Sequence, residues 1–332
     1  MRNELIVGFE SALGYWRAAR AADYNPSLDS CGPSHSDVLL ELGERAKRAA
    51  EECLVETPLD VVVASPSERH CCELVRDHVW AGEVDLAATE YVSGAGLVCD
   101  PCTTFVQLGR ELDVVDLARV AHELVGTYVL MPWSDEGCRA DVDQLTNLEE
   151  LGHSAQRAAE AGVRGARRAL EALAVTTENS NSPLETDIAI LLKTSRAKGG
   201  FGLGGFEMNP KVRLSLEGQL IMGRTDIRPD FAWPGTDLVL EYDSDRWHTT
   251  PEAHERDSRR RAAYIASGRT PLDLTHGMLH DYEALCSLMD ELERRLGIVR
   301  SPINASMAAK RERLLERVLG MDSKGRGVPY CA

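Results

Sequence analysis

Residues 238–245, LVLEYDSD, carry three consecutive apolar side chains straight into acids. A continuous run such as Leu238-Val239-Leu240 suits a strand buried on both faces, which belongs in an α/β arrangement rather than in a half-exposed antiparallel sheet. Glu241, directly after the run, is costly to desolvate unless something compensates it. Asp243 stands two residues on, so the strand period puts it on the same face as Glu241. Asp230, in RPDFAWP, opens another extended piece eleven residues before Glu241 and is followed by a Pro234-Gly235 turn. Three carboxylates are therefore expected within reach of one another. Packed without a cation they would raise one another's pKa values, and a bound metal removes that conflict.

The surrounding segments read as the rest of such a layer. In SPLETDIAILLKTSR, Ser182 is an N-cap, Pro183 takes the first helical position and Glu185 completes a capping box. GGFGLGG (199–205) reads as a flexible connector, since no strand precedes it and no helix follows it as a phosphate-cradling loop needs. VRLSL (212–216) and QLIMG (219–223) are expected as strands joined across Glu217-Gly218. Residues 251–267 are expected as a helix from Pro251 to Gly268, and TPLDLT (270–275) as a final strand. Helix, three or more strands, helix, strand gives an α/β sandwich with a mixed sheet.

Before this region the chain reads as mixed α/β. LDVVVASP (59–66) is a buried strand closed by Pro66. TEYVSGAGLVCDP (89–101) reads as a hairpin turning at Gly94 and Gly96. Helical spacing of Phe105, Leu108, Leu112, Val115, Leu117, Val120 and Leu124 gives one or two helices, and residues 148–173 give another helical stretch. TTENSNSP (176–183) can neither continue a helix nor bury a core, which marks a boundary. A length of 332 residues likewise suits two domains. The expected divisions are 1–145, mixed α/β; 146–181, helix and polar linker; 182–300, the acid-bearing domain; and 301–332, a terminal amphipathic helix and tail.

With 43% apolar and 27% charged residues the composition is globular. No signal-like segment and no 18-residue apolar stretch is present, so a cytoplasmic protein without membrane contact is expected. Its nine cysteines are then most simply reduced thiols. Cys99 and Cys102 form a CxxC that is only half a zinc site, with His70, Cys71 and Cys72 as the remaining donors to recruit. Buried thiols are the simpler reading. The net charge of −16 argues against phosphate binding by the chain as a whole. Residues 183–275, however, hold 13 Lys and Arg against 14 Asp and Glu, and the remainder holds 24 against 39. The acidity lies mostly outside the candidate site.

Hydrolysing a phosphodiester requires neutralised phosphate charge and a reactive water near neutral pH, both of which a divalent metal supplies. Mg²⁺ (or Mn²⁺) takes hard oxygen donors, usually one or two carboxylates. His248, in DRWH, is a candidate proton carrier. Asp257, Arg259, Arg260 and Arg261 on the following helix are candidate phosphate contacts.

Taken in order, SPLE, PDFAWPG, LVLEYDSDRWH, a D-x-x-R helix and SGRTPLDLT resemble the PD-(D/E)xK nuclease superfamily, and within it the Vsr-like (very-short-patch-repair) branch, over residues 182–285. The resemblance implies a restriction-endonuclease-like domain that cleaves DNA. It makes Glu185 the helix-borne acid, with Asp230 and Glu241 as metal ligands assisted by the main-chain carbonyl of Tyr242. His248, Asp257 and Arg260 match the branch's His and D-x-x-R. The chain departs from the pattern at Asp243, where the superfamily usually has Lys, and at Ser244, where relatives with this acid usually have Gly. Without the Lys, His248 or an arginine must supply the positive group. ESALGYWR (10–17) and GLVCDPCTTFVQLGREL (96–112) resemble AbiEi-type abortive-infection regulators, which implies a phage-defence or toxin–antitoxin setting and a cognate regulatory protein as a partner. Two functions follow: a Mg²⁺-dependent endodeoxyribonuclease, or a catalytically inactive nuclease fold that binds nucleic acid or protein.

Overall fold

The computed structural model describes residues 5–22, 41–83, 96–243 and 251–320. Its contacts divide the chain into two compact units, Met1–Thr176 and Thr177–Ala332, which part at the start of the polar TTENSNSP stretch. Both are mixed α/β. Among the described residues no helix is long and apolar enough to cross a membrane.

The first unit runs β1 (Leu5–Val7), α1 (Phe9–Ala21), α2 (Leu42–Glu52), β2 (Leu59–Val63), β3 (Val75–Val79), β4 (Gly96–Val98), α3 (Pro101–Leu108), α4 (Val114–Leu124), β5 (Tyr128–Met131), β6 (Gly137–Ala140), α5 (Leu148–Glu160) and α6 (Ala166–Leu173). The LDVVV strand is buried along its whole length because it lies inside a sheet of order β3-β2-β1-β4. It pairs parallel with β3 and antiparallel with β1, which pairs parallel with β4. Leu5, Val7, Trp16, Leu59, Val61 and Val98 fill its core with alanines of α2.

Gly96–Val98 pairs parallel with β1, and the residues that would form the first arm of the expected hairpin lie outside the described residues. One expectation changes in this unit. The segment read as a linker packs into the unit, with α5 against α3 and α6 and α6 against α4. Leu151, Ala155, Ala166, Ala169 and Ala172 are buried there. The Thr103–Leu124 periodicity resolves into two helices, each started by an aspartate cap: Asp100 accepts from the Cys102 and Thr103 amides, and Asp113 from those of Val115 and Asp116.

The second unit runs α7 (Pro183–Lys193), β7 (Glu207–Met208), β8 (Val212–Arg213), α8 (Leu216–Met222), β9 (Asp226–Ile227), β10 (Phe231–Ala232), β11 (Leu238–Asp243), α9 (Pro251–Ala266), β12 (Thr270–Thr275), α10 (His276–Leu279), α11 (Tyr282–Arg295) and α12 (Ala305–Leu319). Its main sheet has the order β12-β11-β10-β7. β11 is parallel to β12 and antiparallel to β10, so the sheet is mixed. Leu238, Val239 and Leu240 are buried as the run required. α9 provides the connection between the two parallel strands, and its Ala263 and Tyr264 pack with Val239.

QLIMG is a helix, not a strand. The Ser215 hydroxyl caps it by accepting from the Gly218 amide, and Gly223 closes it with φ +75. Gly218 permits the close packing of α8 on α9: an added Cβ would stand 3.0 Å from the Ala263 carbonyl. GGFGLGG is not a flexible connector either. Phe201 and Leu203 are buried, and their amides donate to Leu191 and Leu192 of α7. Arg311 of α12 lies over the Phe201 ring and donates to the carbonyls of Gly199 and Gly200. Arg300 donates to those of Phe201 and Gly202. The terminal helix thus packs on the body as its amphipathic pattern suggests.

This packing makes one glycine indispensable. A Cβ on Gly200 would lie 2.0 Å from the Thr194 carbonyl oxygen, and backbone must shift to relieve it. Gly200→Ala should therefore cost about 2 kcal/mol or more in urea unfolding. Gly152→Ala, inside α5 with nothing within 4 Å of the new methyl, should instead stabilise by about 0.5–1 kcal/mol.

Candidate active site

The antiparallel register Phe231↔Leu240 and Ala232↔Val239, carried one step further, sets Asp230 across from Glu241. The turn at Pro234-Gly235, with Gly235 at φ +79, brings the two strands back on themselves. Each acid is then tied to the other's strand. The Tyr242 amide donates to Asp230 Oδ2 at 2.6 Å, and the Asp230 amide lies 3.4 Å from Glu241 Oε2. Both side chains therefore belong to the same end of the β10–β11 pair.

Glu185 comes to them from the first turn of α7. The Ser182 hydroxyl accepts from the Glu185 amide at 3.2 Å, so the N-cap forms as expected. The reciprocal half of the capping box does not. The Glu185 carboxylate instead accepts from the Asn181 amide at 3.0 Å and from Asn209 Nδ2 at 2.6 Å. Asn209, with φ +50, also donates to the Asn179 carbonyl. Burial pushes the Glu185 carboxyl above its ordinary range, against those hydrogen bonds, and the charge of Glu241 adds to the rise. Asp230 is held well above the usual carboxylate range, first by burial and then by the charges of Glu241 and Glu185. The residue keeps a partly exposed surface, but protein surrounds its carboxyl. These acids form one electrostatic cluster.

Helix α9 supplies the counter-charge. Arg260 Nε lies 2.9 Å from Glu241 Oε1, and its Nη2 lies 3.1 Å from Oε2, a two-pronged grip. The same Nη2 also donates to the Arg228 carbonyl. One turn on, the Tyr264 hydroxyl donates to Glu241 Oε1. Burial, reinforced by Glu241, lifts the Tyr264 hydroxyl above its usual range, so it stays a donor. When ionised, Glu185, Asp230 and Glu241 carry three negative charges against one on Arg260. The two-charge deficit and the all-oxygen donor set of Asp230 and Glu241 fit a divalent cation such as Mg²⁺. Among the described residues no group of three or more His, Cys, Asp and Glu is arranged to hold a metal.

Of the three arginines, only Arg260 reaches the acids. Arg259 pairs with Glu255 on the outer side of α9 at 3.2 Å, and Arg261 pairs with Asp273 of β12. Asp257 lies half-buried on α9, three residues before Arg260. Asp243 ends β11 opposite Thr275 and shares Glu241's face by strand alternation. His248 lies outside the described residues. Tyr264 and Asn209 join the site without belonging to any motif of the sequence. Tyr264 stands at i+4 from Arg260, a helical spacing that offered a signal; Asn209 sits in irregular chain and offered none.

Of the CxxC cysteines, Cys99 lies in the core and Cys102 is half-buried. Cys99 Sγ accepts from Gln107 Nε2 at 3.4 Å, and burial pushes its thiol up to about 12. Cys102 lies 3.4 Å from Thr146 Oγ1, and burial raises its thiol to about 11. Both are the opposite of the low-pKa thiolates that bind metal.

No family model matches the chain, and neither does any curated protein or solved structure.

Proposed function

We propose that Thr177–Ala332 is a restriction-endonuclease-like domain that hydrolyses DNA phosphodiester bonds with Mg²⁺, and that Met1–Thr176 is a second domain of a phage-defence or toxin–antitoxin protein, where a cognate regulatory protein would be the partner. The observation that carries this reading is the meeting of Asp230 and Glu241 at one end of a strand pair, backed by Glu185 and Arg260. Asp230 and Glu241 would hold the cation, which when bound neutralises phosphate charge and activates water. The Tyr242 amide aims the Asp230 carboxyl. Glu185, clamped by Asn181 and Asn209, sets the negative potential behind it. Arg260 supplies the positive group that Asp243 cannot, and its planar fork suits a phosphate oxygen pair. His248 would carry protons.

Nicking of supercoiled plasmid in Mg²⁺ or Mn²⁺ tests the assignment. The double variant Asp230→Ala/Glu241→Ala should be inactive, and cleavage equal to that of wild type would discard the site. The alternative is a catalytically inactive fold that binds nucleic acid or protein. It is favoured by the closed Glu241–Arg260–Tyr264 set, which satisfies the acid as a structural ion pair would. That reading predicts binding without turnover.

A further inference from the structure

The Glu241 carboxylate is fully subscribed. Oε1 accepts from Arg260 Nε at 2.9 Å and from the Tyr264 hydroxyl, while Oε2 accepts from Arg260 Nη2 at 3.1 Å and faces the Asp230 amide at 3.4 Å. Two carboxylate oxygens offer about four lone-pair positions in all. A further bond to Glu241 must therefore replace one of these donors. The Asp230 amide is fixed in the backbone beside β10, and Tyr264 is locked in the core of the unit. Arg260 is the member able to leave. It is the one charged donor and the most exposed of the set, with 28% of its side chain in solvent against 15% for Glu241. Its guanidinium also has a second acceptor in the Arg228 carbonyl, which can retain it after Glu241 is released.

Two cations on one carboxylate repel each other strongly where water is excluded. We propose that Arg260 competes with a divalent cation for Glu241, so that cation entry displaces the guanidinium from the carboxylate and frees it toward the substrate phosphate. This rests on the metal-site reading above and adds a gate to it. In this scheme Arg260 neutralises the acid cluster until the cation takes over that role, and then turns to the phosphate. Tyr264, being neutral and buried, stays on Glu241 throughout and keeps the carboxylate aimed.

Mn²⁺ binding to the full chain, followed by electron paramagnetic resonance of the free ion, tests the exchange. Arg260→Gln should bind Mn²⁺ at least about tenfold more tightly than wild type, since it removes the competing charge. Tyr264→Phe, which removes only a neutral donor, should change the affinity less than about threefold. If Arg260→Gln fails to fold, as judged by circular dichroism, Arg260→Lys serves instead. It keeps the charge without the bidentate fork and should still bind more tightly than wild type. Unchanged or weaker binding by the folded arginine variant, with wild type binding clearly, overturns the competition and leaves the metal site standing. Absence of binding in both proteins, or undiminished binding by Glu241→Gln, removes the metal site itself and the competition with it.

Discussion

Asp230→Asn is expected to abolish cleavage while making the protein harder to unfold at neutral pH. Asparagine can keep the hydrogen bond from the Tyr242 amide, made at 2.6 Å in the native protein, because its side-chain oxygen accepts as the carboxylate does. It cannot carry the charge. In the native protein that charge is disfavoured by burial and by Glu241 and Glu185, which raise the Asp230 carboxyl well above its usual range. A carboxyl whose folded pKa exceeds its unfolded one binds its proton more tightly in the folded state. The stability it contributes is thus fully present below the unfolded pKa and is lost as pH rises through the folded pKa. Glu185 shifts in the same direction. Urea unfolding of the wild type should therefore show stability from this cluster falling as pH rises from about 4 toward neutrality. Asp230→Asn should flatten that fall and leave the variant the more stable of the two near pH 7. If Asp230 holds the cation as proposed, cleavage should fall by at least about a hundredfold. Mg²⁺ should raise the melting temperature of the wild type and not of the variant. A variant less stable than wild type at neutral pH would show that the Asp230 charge is welcome in the fold, and the electrostatic description of the site would fail.

What was legible in the sequence was what local chemistry decides. Ser182-Pro183 had to begin a helix, and Leu238-Val239-Leu240 had to be buried with Glu241 at the exit. The Pro234-Gly235 turn had to return one strand beside the other, and this alone sets Asp230 opposite Glu241. What failed was decided by tertiary packing. An apolar triplet such as Leu220-Ile221-Met222 has no period that separates strand from helix; the Ser215 cap and the close fit of Gly218 on α9 settle it. The glycines of 199–205 looked loose because their partners, Arg300 and Arg311, lie about a hundred residues away in sequence. The arginine triplet is contiguous in the sequence, but neighbouring helix positions point about 100° apart. Only Arg260, on the face shared with Tyr264, can meet Glu241.

In the first unit Asp60→Ala should cost about 3 kcal/mol. Asp60 lies within the fully buried strand β2 and is only 4% exposed, so its presence there requires partners. It has them. His78 Nε2 lies 2.8 Å from Oδ1, the Ser11 hydroxyl donates to Oδ2 at 3.3 Å, and that same hydroxyl accepts from the Asp60 amide at 2.9 Å. Arg76 approaches at 3.3 Å, but its side chain is 57% exposed, and solvent screening leaves it a small share. Alanine would take away the acceptor of the buried Ser11 hydroxyl proton and the Oδ1 partner of His78, whose ring would keep only Glu111 Oε1, 3.4 Å from its Nδ1. His78 cannot simply turn away, because it stacks on Phe9 with ring centroids 3.9 Å apart. Asp60→Asn keeps the shape and one acceptor and should cost less, about 1 kcal/mol. A double-mutant cycle with His78→Ala separates the shared interaction from the packing loss: because the two residues touch, the coupling should reach about 1 kcal/mol or more. Additive losses would mean that the hydrogen bond contributes nothing and that the cost is cavity alone.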